Sequence, residues 1–453
     1  MMPHLALDSL VLAALLAPGL LLSLLAGFAA VGKPLGERAV ARFTAATMLV
    51  AMTATVGALV MYLAGHEPHI ISFGRWFTWG DGSIAFDFLI DGRSLVFAAV
   101  TVLICGVVAA FSNRYLHREA GYNRYFVFFA AFVLGMLLVI LAASMEVLFA
   151  GWELLGLSSA LLVGFFHERR APVVNAMHVF TVYRVSDAAM LGAAVLLHHW
   201  IGSGSLAFLF SQATASTVML STVQATVIAL LLGVAVAGKS ALLPFSGWLP
   251  RAMEGPTPSS AVYYGALSIH AGCFLLLRAG PLLEQAPLAR VAIALAGAAT
   301  ALYAAFVARV QTDIKSALSY AALTQVGLIV VEIALGLYTL AFIHMLGHAS
   351  YRLLQFLSAP NLLHDLHEIE NAVGLAPAAG RGAHVHARPS AHGRTLYLLA
   401  LERGFLDSLL DRLVITPGLA VVRSLDRMDR LLCGKLSSAL SSRRDTGRIH
   451  VDD

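Results

Sequence analysis

Long apolar runs separated by short polar segments recur along the first 360 residues of this 453-residue chain. A transmembrane helix needs about 20 mostly apolar residues in succession, and about eleven runs approach that length. Hydrophobic residues make up 59% of the chain and charged residues only 12%, which excludes an ordinary soluble domain. The sequence therefore predicts an all-α polytopic membrane protein. The predicted spans are about Leu10–Val31, Thr44–Leu63, Ser94–Phe111, Tyr125–Leu141, Val147–Phe166, Val173–Trp200, Val223–Trp248, Ser260–Leu277, Val291–Ala308, Ile314–Leu335 and Leu337–Leu357.

Basic residues are unevenly distributed between alternate loops, which predicts an orientation by the positive-inside rule. One side holds Lys33, Arg38, Arg42, Arg114, Arg118, Arg124, Arg169, Arg170, Arg251, Arg309 and Lys315. The other side holds Arg75, Arg93, Arg278 and Arg290. We therefore expect the N-terminus outside and the C-terminal tail in the cytoplasm. The first residues lack the cationic start of a cleavable signal peptide, so the first run is interpreted as a retained helix.

The segments between the spans predict three further features. Short β-prone runs flank Gly80-Asp81-Gly82 and predict a small external hairpin. The polar, nearly uncharged segment 201–221 fits an exposed linker or a short surface helix. The membrane pattern is lost from about Pro360 onward, and Ala376 to Arg394 is rich in Gly, Ala, Pro and His, which predicts a flexible linker over residues 361–394 after a transmembrane domain over residues 1–360.

The last part of the chain, residues 395–453, places Leu and Phe at helical spacing among Asp and Arg residues. Its apolar pieces are too short to span a bilayer. This pattern predicts an amphipathic cytoplasmic tail that lies on the membrane surface or against a partner subunit. A solvated terminal helix without a partner is the alternative.

One lysine, Lys239, follows an apolar stretch of about a dozen residues in the seventh predicted span. A lysine at the centre of a membrane helix costs roughly 2.5–3.5 kcal/mol, so it normally lines a polar cavity or serves ion transfer. Pro244 and Pro250 each leave a carbonyl four residues earlier without a helical donor. Such groups survive at membrane depth only beside protein or a wet cavity. The sequence therefore predicts a broken seventh helix, as in transporters, with a kinked helix and a snorkelling lysine as the alternative.

Other ionisable residues fall within the predicted spans. Glu153 lies inside the fifth span, and Glu146 lies seven residues earlier on the same helical face, where it can also be merely interfacial. Arg184 and Asp187 are three residues apart and are expected to pair, either as a structural clamp or as a functional element. Glu332 lies near the outer end of its span, where it can simply face water.

The eleventh span carries the clearest relay pattern. His344, His348 and Arg352 recur every fourth residue, and Gln355 follows three residues later, so they form one polar face that we call the histidine stripe. Histidines titrate near neutral pH and can pass protons through intervening water. The stripe therefore predicts a proton relay that His270 on the eighth helix extends. Structural hydrogen bonding and metal binding are the alternatives.

Several of these residues stand in longer motifs that occur in the same order in a known family. The motifs are Gly151–Ser159, Val182–Asp187, Gly238–Pro244, Trp248–Ala261, Gln311–Tyr320 and His344–His348. From about Asp87 to Leu362, the chain resembles the antiporter-like proton-conducting subunits of respiratory complex I and Mrp antiporters. The resemblance implies an antiporter-like fold in a bacterial inner membrane.

The resemblance also implies roles for particular residues. A fifth-helix glutamate and a seventh-helix lysine form the central ion pair of the family's proton path, and they correspond to Glu153 and Lys239. The candidate proton-transfer residues are Lys239, Glu153, His344, His348, Asp187, Arg184, His270 and Lys315. Neither a catalytic residue, a metal site nor a cofactor is expected, since Cys105, Cys273 and Cys433 lack metal or redox spacing.

The chain departs from the family at two points. Tyr264 stands where many members carry a histidine on the eighth helix. The family's second inverted repeat continues with a twelfth helix that bears a second lysine or acid, whereas this chain passes from Leu362 into a polar linker, so a truncated second repeat is expected.

This shortened form resembles the DabB-type membrane subunit of the DAB inorganic-carbon accumulation systems, whose DabA-type partner resembles a zinc carbonic anhydrase. The resemblance implies that inward flow of protons, or of sodium, drives hydration of carbon dioxide to bicarbonate in a large cytoplasmic partner. The chain itself is then not an enzyme, and we expect no nucleic-acid partner. One alternative is a proton-pumping subunit of a complex I-like NADH-quinone oxidoreductase or membrane hydrogenase. The other is a non-conducting membrane anchor.

Overall fold

The computed structural model describes residues 5–79, 82–206, 220–311, 313–373, 391–402, 408 and 411–445. Within these residues, ten helices are long and apolar enough to cross a membrane, which confirms the predicted all-α polytopic class. They are α1 (Leu5–Ala30), α2 (Glu37–Leu63), α3 (Gly92–Tyr115), α4 (Tyr122–Leu141), α5 (Met145–Val163), α6 (Arg170–Ile201), α7 (Thr222–Lys239), α8 (Thr257–Arg278), α9 (Pro287–Ala308) and α10 (Ile314–Ala334).

The eleventh predicted span lies in helix α11 (Tyr338–Val373), which is not among those ten. The histidine stripe lowers the hydropathy of this helix, so its membrane crossing stays a prediction. The helix also corrects the predicted linker boundary, because it continues through residues 361–373. Residues 374–390 of that linker, and residues 207–219 of the predicted segment after the sixth span, lie outside the described residues.

Two more helices follow in the C-terminal part of the chain. Helix α12 (Ala391–Leu401) belongs to the first compact unit, residues 1–404, and contacts α9. Helix α13 (Thr416–Asp445) belongs to a second unit, residues 405–453, and follows a π-helical turn over Asp411–Ile415. The apolar side chains Val421, Leu425 and Met428 are exposed on α13 at helical spacing, as expected for an amphipathic tail.

The predicted hairpin is confirmed as an antiparallel pair, β1 (His69–Trp79) and β2 (Gly82–Ile90). It is tied to the start of α5, because the Ala143 N–H donates to the Asp87 carbonyl at 2.9 Å and the Ser144 hydroxyl donates to the Ala85 carbonyl at 2.8 Å. We call this end of the helix bundle the hairpin face. By connectivity, this face also holds the ends of α4, α6, α8 and α10 and the starts of α5 and α11.

Helix α8 is the central element of the bundle, since every residue of its apolar window is buried. Its residues Ser260–Ala266 form a π-helical segment, and the Leu267 N–H donates to the Val262 carbonyl five residues earlier at 2.8 Å. Such segments rarely occur except as single turns inside α-helices, often at functional sites. This one lies beside the break in α7.

The seventh helix is broken where the sequence predicts an interruption. Helix α7 ends at Lys239, and a short helix, Trp248–Arg251, begins only after Pro244. Neighbouring groups satisfy the freed backbone: the Trp248 indole N–H donates to the Gly238 carbonyl at 2.8 Å, and the Thr300 hydroxyl accepts from the Leu243 N–H at 2.9 Å. The predicted span to Trp248 is therefore too long, because proline prevents the helical bonds that it would need.

Candidate functional site

The side chain of Lys239 is fully buried at the C-terminal end of α7. Its Nζ atom donates to the Trp152 carbonyl at 3.2 Å and lies 4.4 Å from the centroid of the Tyr183 ring and 5.0 Å from that of Trp152. Aromatic faces attract cations, most strongly where water is excluded. Within the described residues, no salt bridge joins Lys239 to a carboxylate. The ammonium is therefore held by one carbonyl and two rings rather than by a direct ion pair.

The carboxylates next to Lys239 are bound to Arg184. The two guanidinium nitrogens of Arg184 donate to Glu153 and, at 2.8 Å, to Asp187 Oδ2. The Trp152 indole N–H donates to Asp187 Oδ1 at 2.7 Å. The predicted Arg184–Asp187 pair is confirmed. The direct Glu153–Lys239 pair that the resemblance implies is not formed in this structure, because the planar guanidinium binds both carboxylates.

These four groups, Lys239, Arg184, Glu153 and Asp187, form what we call the lysine cluster. Two positive and two negative charges balance when all four are ionised, which lowers the cost of burying them together. Gly156 leaves space for the ammonium, because a Cβ at this position would lie 2.9 Å from Lys239 Nζ. Gly156 lies three residues after Glu153 within Gly151–Ser159, but the sequence alone does not mark it as a neighbour of Lys239.

Aromatic side chains enclose the lysine cluster. The ring centroids of Tyr183 and Trp248 are 5.0 Å apart, and those of Trp248 and Tyr264 are 5.6 Å apart. The Tyr264 hydroxyl donates to the Ser159 carbonyl at 3.0 Å. Tyr264, the residue that departs from the family pattern, therefore lies in the same aromatic wall as Tyr183, which contacts Lys239, and reaches it through Trp248. Sequence reasoning identified the position but not this contact, which depends on how α8 packs on α5.

The histidine stripe makes one hydrogen-bonded chain with α8. The His270 Nδ1–H donates to the Ala266 carbonyl at 2.6 Å, so its Nε2 atom is an acceptor in neutral histidine. The His348 Nδ1–H donates to that Nε2 atom at 2.9 Å, and His348 Nε2 accepts from Arg352 Nε at 3.2 Å. His270 therefore contacts the stripe directly, through His348.

The other histidine of the stripe belongs to a separate group. His344 Nδ1 lies 2.9 Å and 3.1 Å from the two carboxylate oxygens of Glu332, and His344 Nε2 lies 3.0 Å from Gln325 Oε1. The ring centroids of His344 and His348 are 6.4 Å apart, too far for a direct hydrogen bond. The histidine stripe therefore contains two separate hydrogen-bonded groups on one helix, and no direct hydrogen bond joins His344 to His348.

The lysine cluster and the histidines meet where α7 contacts α8. The Ser240 hydroxyl, on the residue after Lys239, donates to the Ile269 carbonyl, on the residue before His270, at 2.7 Å. A Cβ at Gly272 would lie 2.3 Å from the Ser240 hydroxyl oxygen, so the two helices approach closely here. The break in α7 therefore connects the two groups of ionisable residues.

One candidate lies apart from the others. Lys315 is at the start of α10, at the end of the bundle opposite to the hairpin face. Its ammonium donates to the Gly255 carbonyl at 3.2 Å and to the Met253 carbonyl at 3.4 Å, and thereby binds the turn after the broken helix. Among the described contacts, none joins Lys315 to the lysine cluster or to the histidines. No group of three or more His, Cys, Asp and Glu side chains suited to a metal ion occurs in that part of the chain either.

Comparison with known protein families decides the family of this chain. The family described as "NADH:quinone oxidoreductase/Mrp antiporter, TM" matches residues 142–378, which is more than half of the chain. The chain belongs to this family. The N-terminal family of complex I chain 5 matches residues 76–126. The predicted antiporter-like family is therefore confirmed.

Curated relatives give the same result. NADH-quinone oxidoreductase subunit L of Escherichia coli is 31% identical over 320 residues, which are 71% of this chain and 52% of that protein. NAD(P)H-quinone oxidoreductase chain 5 of Picosynechococcus is 31% identical over 326 residues, 71% of this chain and 49% of that protein. The chain thus spans about half the length of these relatives.

Solved structures of similar fold are membrane complexes. A chain of the Mrp complex from Dietzia sp. has a TM-score of 0.62 and 27% identity, and the match covers 79% of this chain and 37% of that one. A chain of the membrane-bound sulfane sulfur reductase, an archaeal respiratory complex, has a TM-score of 0.67 at 19% identity, covers 77% of this chain and 70% of that one, and is similar in fold alone.

Proposed function

We propose that this chain is a proton-conducting subunit of a multi-subunit membrane complex. The observation that carries the proposal is Lys239, a fully buried lysine at the break of α7 without a directly bound carboxylate among the described residues. Ionisable residues inside a membrane bundle mark ion pathways more often than structural contacts. The family membership and the hydrogen-bonded histidines next to the break support the same function.

The geometry suggests how Lys239 would exchange a proton. Arg184 holds Glu153 and Asp187, so the charge of Lys239 is balanced by carboxylates that it does not touch. If Arg184 releases Glu153, that carboxylate becomes available to the ammonium. If Lys239 loses its proton toward His270, both carboxylates stay paired with Arg184. The lysine cluster can therefore change its charge while its helices keep their positions.

The test is proton flux through the purified complex in vesicles that contain a pH-sensitive dye, driven by an imposed potassium diffusion potential. We expect Lys239→Ala to reduce the flux to the level of protein-free vesicles. Lys33→Ala, in the loop between α1 and α2, is the matched control and should conduct normally. Unchanged flux in Lys239→Ala would instead support the non-conducting anchor, while flux of sodium but not of protons would change the identity of the ion.

For the partner, we propose the inorganic-carbon system that the sequence resembles: protons flow inward and a large cytoplasmic zinc subunit, similar to carbonic anhydrase, hydrates carbon dioxide to bicarbonate. The resemblance and the amphipathic helix α13 support this choice. The alternative, a proton-pumping subunit of a complex I-like NADH-quinone oxidoreductase, is supported by the names of the curated relatives.

Identification of the proteins that co-purify with the full chain separates these two functions. A zinc protein similar to carbonic anhydrase is the expected result, and cells that lack the chain should then need elevated carbon dioxide for growth. Recovery of quinone-reductase or hydrogenase subunits would overturn the inorganic-carbon proposal and leave proton conduction in place.

A further inference from the structure

Glu332 is a further carboxylate on a predicted membrane helix, and the proposed path through Lys239 does not use it. It lies two residues before the end of α10 on the hairpin face, and both of its carboxylate oxygens lie within hydrogen-bonding distance of His344 Nδ1. Within α10 the neighbouring residues Val330, Val331 and Ile333 are apolar. A carboxylate at this position therefore needs a specific explanation.

The depths of these residues form a series from the centre of the bundle to the hairpin face. At about 1.5 Å per residue, His270 lies roughly 12 Å from the end of α8, and His344 roughly 9 Å from the start of α11. Glu332 lies only about 3 Å from the end of α10 on the same basis. The order from the interior outward is therefore His270, His344 and Glu332.

Side-chain exposure separates the interior pair from the outer pair. His270 is 0% exposed and His348 6%, whereas the side chains of His344 and Glu332 are 24% and 19% exposed. The buried pair is thus followed by a pair that is partly exposed at the surface of the bundle. Because the His344 and His348 rings are 6.4 Å apart, one intervening water molecule is enough to link the two pairs.

We propose that Glu332 is the proton port of the histidine stripe on the hairpin face: its carboxylate exchanges protons with water there and with His344 Nδ1. The inference rests on the proposed proton conduction. In one step, the protonated imidazole of His344, whose Nε2–H donates to Gln325 Oε1, passes its Nδ1 proton to the Glu332 carboxylate and becomes neutral, and a proton from the interior side then restores the imidazolium. The carboxylic acid then releases its proton to water, so charge and protons balance.

The surroundings of the pair are suited to this exchange. On α10, the His344–Glu332 pair contacts the neutral amide of Gln325. On α8, the ionisable groups near the pair are His270 and Cys273. At the start of α9, Arg290 binds the Ala334 carbonyl two residues beyond Glu332. Among these described neighbours, none is a second carboxylate, so Glu332 is the acidic group of the pair.

A structural clamp between α10 and α11 is the competing explanation, and conservative variants separate the two. Glu332→Gln keeps an oxygen that accepts from His344 but cannot carry a proton, whereas Glu332→Asp keeps the carboxyl group. Glu284→Gln is the matched control, since Glu284 is an exposed carboxylate near the same face that accepts a hydrogen bond from Tyr338 at 3.2 Å.

The measurement is potential-driven proton flux of the complete complex in dye-loaded vesicles, as a function of the pH on the hairpin side. We expect Glu332→Gln to lose flux by about tenfold or more and to change its pH profile, Glu332→Asp to retain much of the flux, and Glu284→Gln to match the wild type. Each variant is first checked for assembly by its unfolding temperature.

The outcomes distinguish this inference from the proposed function. Normal flux in Glu332→Gln, with flux abolished in Lys239→Ala, would contradict the port alone. Equal loss in Glu332→Gln and Glu332→Asp with lowered unfolding temperatures would show a clamp and also overturn the port. Normal flux in Lys239→Ala would remove proton conduction itself, and the port with it.

Discussion

The contacts of single side chains decide which interpretation of Lys239 is correct. A snorkelling lysine would extend toward an interface, but the Lys239 ammonium is buried against the Trp152 carbonyl and the Tyr183 ring. Burial of a charge without hydrogen bonds costs several kcal/mol, so these contacts are needed to keep the lysine charged. The chemistry of the site therefore depends on the space around one ammonium group.

Gly156 is the residue that most directly tests this space. In Gly156→Ala the new Cβ would lie 2.9 Å from Lys239 Nζ, so the flexible lysine must move away from its carbonyl and rings. We expect proton flux to fall by roughly tenfold, as when a proton-transfer group is misplaced, while the unfolding temperature changes little. Flux measurements in vesicles and thermal unfolding in detergent check this prediction.

The control is a helical glycine without a neighbour. A Cβ at Gly27 in α1 meets no atom within 4 Å, so Gly27→Ala should conduct normally. It should also gain roughly 0.5–1 kcal/mol of stability, because alanine loses less backbone entropy in a helix than glycine does. Normal flux in both variants would show that the position of the ammonium does not limit conduction.

The sequence predicts contacts within one helix better than contacts between helices. The spacing of Arg184 and Asp187 was enough to predict their pair, because residues three apart share a helical face. The bond from Arg184 to Glu153 depends on how α5 and α6 are rotated against each other, which one sequence does not specify. The same limit applies to the histidine stripe, because His348 forms a hydrogen bond with α8 and His344 forms hydrogen bonds with α10.

At the scale of elements, the proline positions were the most reliable signal. Pro244 and Pro250 predicted a break in the seventh helix, and the helix ends at Lys239. No residue pattern marks the π-helical segment Ser260–Ala266 in α8 in the way that the prolines mark the break in α7. The wider turn of this segment, with a hydrogen bond between residues five apart, depends on packing against neighbouring helices rather than on the local preference of its residues.

The ion pair of Asp91 and Arg278 joins the start of α3 to the end of α8, directly after the hairpin. Asp91 also caps α3, since its carboxylate accepts from the Ser94 N–H at 2.8 Å. Burial opposes its ionisation, but the Arg278 guanidinium and the Ser94 donors outweigh burial, so the pKa of Asp91 lies below its usual value. The pair therefore contributes stability only while Asp91 is ionised.

Substitution of Asp91 by Asn tests this contribution. Asparagine is also a good helix cap, so Asp91→Asn removes mainly the charge, and we expect a loss of about 3 kcal/mol, the lower end for a broken buried pair. Because the folded pKa of Asp91 is lowered, the difference from the wild type should be full at neutral pH. It should then shrink as the pH falls below about 4, the pKa of an unperturbed aspartate.

Thermal unfolding of both proteins between neutral and acidic pH provides the measurement. Asp91→Ala is the companion variant, which loses the cap as well and should cost about 1 kcal/mol more than Asp91→Asn at every pH. A stability difference for Asp91→Asn that stays constant down to the most acidic pH would show that the pair with Arg278 is not the source of its effect.

The whole molecule separates its ionisable groups between two ends and a centre. Glu332 and the Asp91–Arg278 pair lie toward the hairpin face, Lys315 lies at the opposite end, and Lys239 and His270 lie between them. The alternation of connections across a bilayer predicts which helix ends share a side, and the loop charges predict only which side is cytoplasmic. They did not predict that Lys315 would bind a turn and stay apart from the lysine cluster.

Helix α13 has an apolar face that we expect to link proton flow to a partner. Its exposed Val421, Leu425 and Met428 lie on one face, whereas the exposed Asp426–Arg430 pair lies on the opposite face. If the apolar face binds the cytoplasmic subunit, Leu425→Asp should abolish co-purification of that subunit. Asp426→Ala is the control and should leave co-purification unchanged. The two variants should insert into membranes to the same extent. Proton flux through the bundle should persist in Leu425→Asp while partner activity is lost, because the lysine cluster lies in the other compact unit. Equal recovery of the subunit with both variants would mean that the apolar face of α13 is not its binding surface.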